Sequence, residues 1–243
     1  MTQQIISIFS SSDISRESFY YHIKNAIFQS ASKENEYALD HLHKKLIDNK
    51  KLIHGSDQAT LFHKAVYSTF DAPNFYSSKF WLYYKKLSLE IVDKLKNQTD
   101  YYGEWSIQRY PTFRFHFPNN ISVFEFHRDS DYEHPLGEIN CFYAITECKN
   151  SSALHVEKNL GFEDYVPLNL KSGEYAILNT SIYKHGDLIN KTNKTRVSMD
   201  FRFIPDIYLK NTKVSKTNSI KLTSDEYFIK EREMKNLGNQ IVI

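Results

Sequence analysis

The chain has 243 residues, 41% of them hydrophobic and 25% charged, which is the usual composition of a globular protein with a substantial core. Its formal net charge is only +2, from 31 basic and 29 acidic residues, and this near balance excludes the strong positive field typical of proteins that bind nucleic acid or anionic membranes. With 17 Phe and 17 Tyr but only 7 Gly, and without a P-loop or dinucleotide fingerprint, the composition favours β-rich packing over glycine-rich phosphate loops.

The first hundred residues are predicted to be mainly helical. The strongest pattern is a stripe of apolar side chains at helical spacing across a segment of good helix formers, formed by Phe80, Tyr84, Leu87, Ile91 and Leu95. We expect one long helix here, with this stripe facing the core.

The following hundred residues are predicted to form short strands. Turn-forming sequences separate the β-type runs: PNN at 118–120, HPLG at 134–137, KNSS at 149–152, KSG at 171–173 and NKTNK at 190–194. Such spacing is typical of an antiparallel sandwich or barrel. We therefore expect a mainly β fold with flanking α-helices, in one domain over residues 1–243: a mainly helical portion 1–100, a β core 101–206 and a polar extension 207–243.

The polar extension, residues 207–243, is rich in Lys, Thr, Ser and Asn before a further helix predicted around DEYFIKEREMKN. A lid, an oligomer contact and a loosely held tail are all compatible with it. The sequence does not indicate an oligomeric state.

Cysteine usage and the absence of long apolar segments indicate a cellular location. Cys141 and Cys148 have no CxxC spacing, which suggests a reduced protein. The apolar run IISIF near the N-terminus has no basic segment before it. We therefore expect a cytoplasmic protein with no membrane partner.

The sequence His127-Arg128-Asp129 is the most informative motif of the chain. If ISVFEFHRD is a strand, His127 and Asp129 project to the same face. His185 follows 56 residues after Asp129 (185 − 129), at the end of the apolar run YAILNTSIYKH, where a strand would deliver it to the mouth of a barrel. Two imidazoles and one carboxylate can occupy one face of an iron(II) ion and leave three positions open.

The segment RVSMDFRF supplies a second polar face. On a strand, alternation places four polar side chains on one side and four apolar ones on the other; the polar set is Arg196, Ser198, Asp200 and Arg202. Arg202 is expected to pair with Asp200 or another carboxylate.

The order His-x-Asp, distal His and then Arg-x-Ser eleven residues later (196 − 185) resembles the iron(II)- and 2-oxoglutarate-dependent dioxygenases. A small subgroup similar to the streptomycin biosynthesis protein StrG is a closer match, through QRYPTFRFHFPNN, FHRDSDYEHPLGEIN and KHGDLINKTNKTRVSMDFRFIP. The resemblance covers residues 105–205. It implies a double-stranded β-helix (jelly roll, cupin-like), with the N-terminal helices packed on the outer face of its larger sheet.

This resemblance also implies a cofactor set and roles for individual residues. His127, Asp129 and His185 would bind Fe(II), and O₂ and 2-oxoglutarate would be cosubstrates. Arg196 with Ser198 would bind the C5 carboxylate of 2-oxoglutarate, because a guanidinium fork matches a carboxylate in geometry and charge. Asn140 would steady the other end. Ser198 and Asn140 could instead satisfy neighbouring polar groups. Loop residues near the metal ligands are the candidate substrate contacts: Arg128, Tyr132, His134 and Tyr183.

The implied reaction is hydroxylation of an unactivated C–H bond in a small polar metabolite, such as an amino acid, sugar or cyclitol derivative, with release of succinate and CO₂. The carboxylate of Asp129 disfavours halogenation, which needs a small residue at that position in related enzymes. Three alternatives stay open: a peptide or protein hydroxylase, a nucleic-acid demethylase, and a non-catalytic jelly-roll module that binds a sugar or a metal.

Overall fold

Two antiparallel β-sheets form the centre of the molecule. The structure, a computed structural model, describes residues 5–28, 38–45, 60–122, 125–211, 214, 221–223 and 226–238. The larger sheet contains β1 (Ile5–Ser10), β2 (Trp105–Gln108), β3 (Thr112–His116), β4 (Ile139–Ala144), β7 (Glu174–Leu178), β9 (Arg196–Pro205) and β10 (Phe228–Lys230). The smaller sheet contains β5 (Leu154–Glu157), β6 (Tyr165–Leu168) and β8 (His185–Asp187). The expectation of a mainly β fold with flanking helices is confirmed.

Strand β9 is the centre of the larger sheet. It pairs with β4 along one edge and with both β2 and β3 along the other. The order of the main path is β1-β7-β4-β9-β2-β10, and the smaller sheet has the order β6-β5-β8.

The helices cover the outer face of the larger sheet. They are α1 (Asp13–Phe28), α2 (Leu61–Tyr67), α3 (Lys79–Thr99) and α4 (Glu231–Asn236). In α3 the predicted apolar stripe, from Phe80 to Leu95, is buried as expected. The helix begins after Ser78, whose hydroxyl accepts a hydrogen bond from the backbone N–H of Trp81 and so satisfies one free donor of the first turn. Within the described ranges, no helix is both long enough and apolar enough to cross a bilayer.

The two faces of β9 differ as the alternation predicts. Val197, Met199, Phe201 and Phe203 belong to the core that the helices share with the larger sheet. On the opposite face of that sheet, Phe142 and Leu178 are among the residues that form a second apolar cluster with the smaller sheet. The polar side chains of β9 point to this second side, between the two sheets.

Two local predictions are wrong. Among the described residues of ISVFEFHRD no strand forms; His127 makes an isolated bridge, and a 3₁₀ turn begins at Asp129. The backbone N–H of Asp129 donates to the carbonyl of Thr180 at 2.8 Å and so does not extend the bridge that His127 makes with His185. His185 begins a strand rather than ending one, because the segment after β7 folds into a turn in which the N–H of Tyr183 donates to the carbonyl of Asn179.

Part of the polar extension packs against the larger sheet. Strand β10 pairs with β2, with Ile229 opposite Ile107, and the short helix α4 follows it directly. Phe228, Ile229 and Met234 are buried. At the other end of the chain, β1 adds a strand to the sheet from within the portion predicted to be helical.

Candidate metal centre

The two histidines and the aspartate of the sequence motif meet at one point. One donor atom from each of His127, Asp129 and His185 lies within 4.8 Å of the other two. The Nε2 atoms of His127 and His185 lie 3.9 and 3.7 Å from Oδ1 of Asp129. Nothing in the sequence between residues 129 and 185 fixes this proximity, which depends on the packing of the two sheets.

Backbone hydrogen bonds hold the two histidines side by side. The N–H of His127 donates to the carbonyl of His185 at 3.0 Å, and the N–H of His185 returns a bond to His127 at 2.9 Å. Gly186 allows the two segments to approach, since a Cβ there would lie 3.1 Å from the Cα of Phe126. Asp129 is held separately, by Thr180, whose hydroxyl donates to Oδ2 at 2.6 Å.

The charge states of Asp129 and His185 and the orientation of the His127 ring suit metal binding. Burial lowers the pKa of His185 to about 4, although Asp129 opposes the shift. Burial alone would raise the pKa of Asp129, but the Arg202 guanidinium and the His185 imidazole outweigh it and hold that pKa well below its usual range. Nδ1 of His127 donates to the carbonyl of Glu125 at 2.7 Å, so Nε2 is the nitrogen that faces Oδ1 of Asp129, at 3.9 Å. Neutral imidazoles and an ionised carboxylate are the donor set that a divalent transition metal requires.

Arg202 connects the candidate metal ligand Asp129 to a buried polar cluster. Its Nη2 lies 3.3 Å from Oδ2 of Asp129, and its Nε lies 2.8 Å from Oε1 of Glu138. Its Nη1 donates to the hydroxyl of Tyr227 at 2.9 Å and lies 3.4 Å from Asp200. The expectation that Arg202 pairs with carboxylates is confirmed. Glu138 and Tyr227 were not predicted, because only tertiary packing brings these distant segments together.

Arg196, at the other end of β9, is already paired with a carboxylate. Nη1 and Nη2 donate to the two oxygens of Asp187 at 2.8 and 3.0 Å, and Nη2 also donates to Ser122 at 2.8 Å. Asp187 in turn accepts a hydrogen bond from Ser122. Arg196 is 1% exposed and Asp187 is 1% exposed, so this pair is sealed from water. The sequence carried one signal that was missed: Asp187 follows His185 at strand spacing and therefore shares its face.

Three buried polar atoms on β9 and β4 lack a hydrogen-bond partner within the described part of the chain: Nε of Arg196, Oγ of Ser198 and, opposite Arg202 at the other end of β9, Oδ1 of Asn140. Ser198 and Asn140 lie on the paired strands β9 and β4. Buried polar groups without partners are rare, and unpaired ones mark places where a ligand can bind. The free N–H and hydroxyl fit a carboxylate-bearing ligand, although Asp187 occupies the guanidinium fork.

The four candidate substrate residues have different surroundings in the structure. The ring of Tyr132 meets the ring of His127 edge-on, with centroids 5.0 Å apart. His134 is turned toward Glu138, with 3.0 Å between Nδ1 and Oε1. Tyr183 is buried. Arg128 is partly exposed, and its backbone N–H donates to the carboxylate of Asp131.

Sequence reasoning did not identify an aromatic pair beside the ligands. The rings of Phe126 and Tyr165 have centroids 4.0 Å apart, and Phe126 immediately precedes His127. Lys184, which immediately precedes His185, forms an ion pair at 2.6 Å with Glu163, two residues before Tyr165. Phe126 and Lys184 thus border candidate metal ligands in sequence, and all four side chains are exposed or partly so.

Comparison with known proteins gives one curated relative and a set of distant structural likenesses. The chain is 29% identical over 150 residues to the streptomycin biosynthesis protein StrG of Streptomyces griseus, a match that spans 62% of this chain and 65% of StrG. The match therefore covers less than two thirds of that relative's length. No protein-family model matches the chain.

The likenesses to solved structures are all at low sequence identity. A nickel complex of the non-haem monooxygenase ThoJ has a TM-score of 0.48 at 10% identity, covering 84% of this chain and 75% of that one. CytC3 with Fe(II) and α-ketoglutarate has a TM-score of 0.47 at 15% identity, covering 91% and 82%. AviO1 from Streptomyces viridochromogenes Tue57 has a TM-score of 0.48 at 11% identity, covering 88% and 94%.

Proposed function

We propose that this protein is an iron(II)- and 2-oxoglutarate-dependent oxygenase built on a double-stranded β-helix. The observation that carries the proposal is the convergence of His127, Asp129 and His185 within 4.8 Å, with the carboxylate ionised and His185 neutral. Three protein ligands on one side of an ion leave room for a cosubstrate and for dioxygen, and this facial arrangement is typical of non-haem iron oxygenases. The 29% identity to StrG over 150 residues supports the same assignment.

His127, Asp129 and His185 would hold the iron. Iron(II) with 2-oxoglutarate supplies the oxidation of an unactivated C–H bond by dioxygen, with succinate and CO₂ as co-products. The protein's own contribution is to fix the three ligands: the reciprocal backbone bonds position the histidines, Thr180 orients the carboxylate, and the carbonyl of Glu125 sets the tautomer of His127.

Arg196 and Ser198 would bind the C5 carboxylate of 2-oxoglutarate, with Asn140 at its other end. Nε of Arg196 and Oγ of Ser198 are buried donors without a partner, which supports a ligand at this place. Because Asp187 accepts bonds from the fork of Arg196, the cosubstrate would share the guanidinium with a buried carboxylate or displace it.

The substrate would be a small polar metabolite, such as an amino acid, sugar or cyclitol derivative, and the reaction its hydroxylation. Polar and aromatic groups next to the ligands support this class: Tyr132 against His127, the partly exposed Arg128, and the Lys184–Glu163 pair. Among the residues proposed for substrate contact, Tyr183 is the least accessible, and His134 is bonded to Glu138.

Succinate release tests the proposal. The protein is incubated with Fe(II), 2-oxoglutarate, air and a panel of amino acids, sugars, cyclitols and short peptides. We expect at least one polar small molecule to raise succinate formation above background, and Asp129→Ala and His185→Ala to abolish that increase. His41→Ala, which alters a partly exposed histidine that is not among the proposed metal or cosubstrate residues, is the matched control and should retain it. If only a peptide raised succinate formation, the substrate class would be peptides and not small polar metabolites. No succinate under any condition, from folded protein that binds iron, would favour a non-catalytic module.

A further inference from the structure

We infer that the C-terminal segment completes the metal centre: Tyr227 positions Arg202, and Arg202 positions the carboxylate of Asp129. Tyr227 would thus be a positioning residue for a metal ligand nearly a hundred residues away in sequence. The inference rests on the proposed function only in that Asp129 must bind a metal ion.

The backbone of Tyr227 is fixed from both sides. Its carbonyl accepts a hydrogen bond from the N–H of Arg109 at 2.9 Å, and its own N–H donates to the carbonyl of Thr223 at 3.2 Å. The next residue, Phe228, is fully buried and begins β10, opposite Gln108. The phenol ring is therefore held by the larger sheet, so its hydroxyl offers Arg202 a fixed partner.

The hydroxyl of Tyr227 is the shortest contact of the Nη1 atom of Arg202. The distance is 2.9 Å, whereas Gln108 and Asp200 both lie at 3.4 Å from the same nitrogen. The guanidinium is planar, so fixing Nη1 at Tyr227 and Nε at Glu138 also fixes where Nη2 points. That third nitrogen contacts Asp129, at 3.3 Å from Oδ2 and 3.4 Å from Oδ1.

The orientation of Asp129 follows from this contact. Oδ2 receives bonds from both Thr180 and Arg202, at 2.6 and 3.3 Å, whereas Oδ1 receives only the 3.4 Å bond from Arg202 and lies 3.7 and 3.9 Å from the two imidazole Nε2 atoms. Oδ2 is therefore the more firmly held oxygen, and Oδ1 faces the point where the three donors converge. Removing the Tyr227 hydroxyl frees the guanidinium to turn toward Asp200 or Glu138, and Asp129 loses part of its support.

Tyr227→Phe tests the inference because it deletes only the hydroxyl and leaves the ring packing and the formal charge unchanged. The readout is the dissociation constant of Co(II), measured by titration calorimetry on the full chain without any cosubstrate. We expect binding weakened on the order of tenfold, the lower end of the effect of removing an outer partner of a metal ligand. Tyr102→Phe, at an exposed tyrosine, is the matched control and should bind as the natural sequence does.

A second readout separates positioning from simple stability. The visible spectrum of bound Co(II) reports the geometry of its ligands, and loss of support for Asp129 should change it in Tyr227→Phe at saturating metal. Wild-type affinity together with an unchanged spectrum in Tyr227→Phe overturns the inference. If the natural sequence binds no Co(II), the proposed metal centre is wrong, and so is the inference that depends on it. If the Tyr227→Phe effect appears but no condition yields succinate, the inference stands and the proposed oxygenase activity fails.

Discussion

The two buried arginines of β9 lie six residues apart on one face of the same strand, yet their surroundings differ. Arg196 is matched one to one by Asp187, through two parallel hydrogen bonds. Arg202 is shared between Asp129, Glu138 and Asp200, and Arg114 adds a second bond to Asp200. With histidines counted as neutral, the Arg196 end has formal charges that sum to zero, and the Arg202 end sums to −1 (three carboxylates against two guanidinium groups).

This difference in formal charge predicts how readily each end of β9 would accept its proposed ligand. A divalent cation between His127, Asp129 and His185 would enter a region that carries excess negative charge, which favours its binding. A dicarboxylate that approaches Arg196 would enter a region already neutral. The charges at the proposed metal end would therefore favour its ligand, whereas the proposed cosubstrate end contains a buried carboxylate, Asp187, that would compete with it.

Substitution of Asp187 gives the largest expected effect on stability. In Asp187→Asn the guanidinium of Arg196 stays buried without a counter-charge, and removing one partner of a buried pair costs about 3–5 kcal/mol. We expect a loss near the lower figure, about 3 kcal/mol, because the amide oxygen still accepts one bond. Urea denaturation of the metal-free protein measures it. Asp13→Asn is the control, since Asp13 pairs with Arg16 at the surface, where an ion pair contributes less than about 1 kcal/mol.

The same variant tests whether Asp187 competes with the cosubstrate. The Arg196 end gains a net positive charge in Asp187→Asn, so 2-oxoglutarate should bind roughly tenfold more tightly in the presence of Co(II), a gain of about 1.4 kcal/mol. Weaker binding would mean that Asp187 orients the guanidinium for the cosubstrate instead of competing with it.

The pH dependence of stability also distinguishes the two ends. The folded-state pKa of His185 is about 4, below the ordinary 6.5, so the unfolded chain takes up a proton first as the pH falls. The metal-free protein should therefore lose stability between about pH 6.5 and 4, by up to about 3 kcal/mol from this group. The pKa of Asp187 is about 2, since Arg196 outweighs the opposing effect of burial; its contribution is present above its unfolded pKa and is lost only as the pH approaches 2.

Denaturation curves at a series of pH values check that the contribution of His185 is lost at a higher pH than that of Asp187. His185→Gln should flatten the dependence between about pH 6.5 and 4. His63, also buried and with a pKa of about 4, continues to contribute in that variant, so a residual slope is expected. A slope in His185→Gln equal to that of the natural sequence would contradict the assignment.

The predictions from the sequence succeeded where periodicity decides the structure. The stripe on α3 and the alternation on β9 are each set by one element burying one face, and both follow from spacing alone. The possible strand ISVFEFHRD is reduced, among its described residues, to an isolated bridge at His127, because tertiary packing and not composition sets the partners of so short a segment.

The partners of the site residues were harder to predict, since most lie far away in sequence. Arg202 contacts Tyr227 and Glu138 only because β10 pairs with β2 and β4 pairs with β9. The hydrophobic periodicity of a single segment does not specify which strand it pairs with or in which register. The pairing of Asp187 with Arg196 joins β8 of the smaller sheet to β9 of the larger one, so it also depends on how the sheets pack, although the spacing of Asp187 after His185 was a visible signal.

Anaerobic addition of Fe(II) and 2-oxoglutarate tests the central claim, that His127, Asp129 and His185 hold one metal ion beside a keto acid. Chelation of iron(II) by the keto acid produces a weak metal-to-ligand absorption band in the visible. We expect this band with the natural sequence, its loss in His185→Ala, and its retention in His41→Ala. A folded natural protein that shows no band, or a band that survives in His185→Ala, would contradict the account.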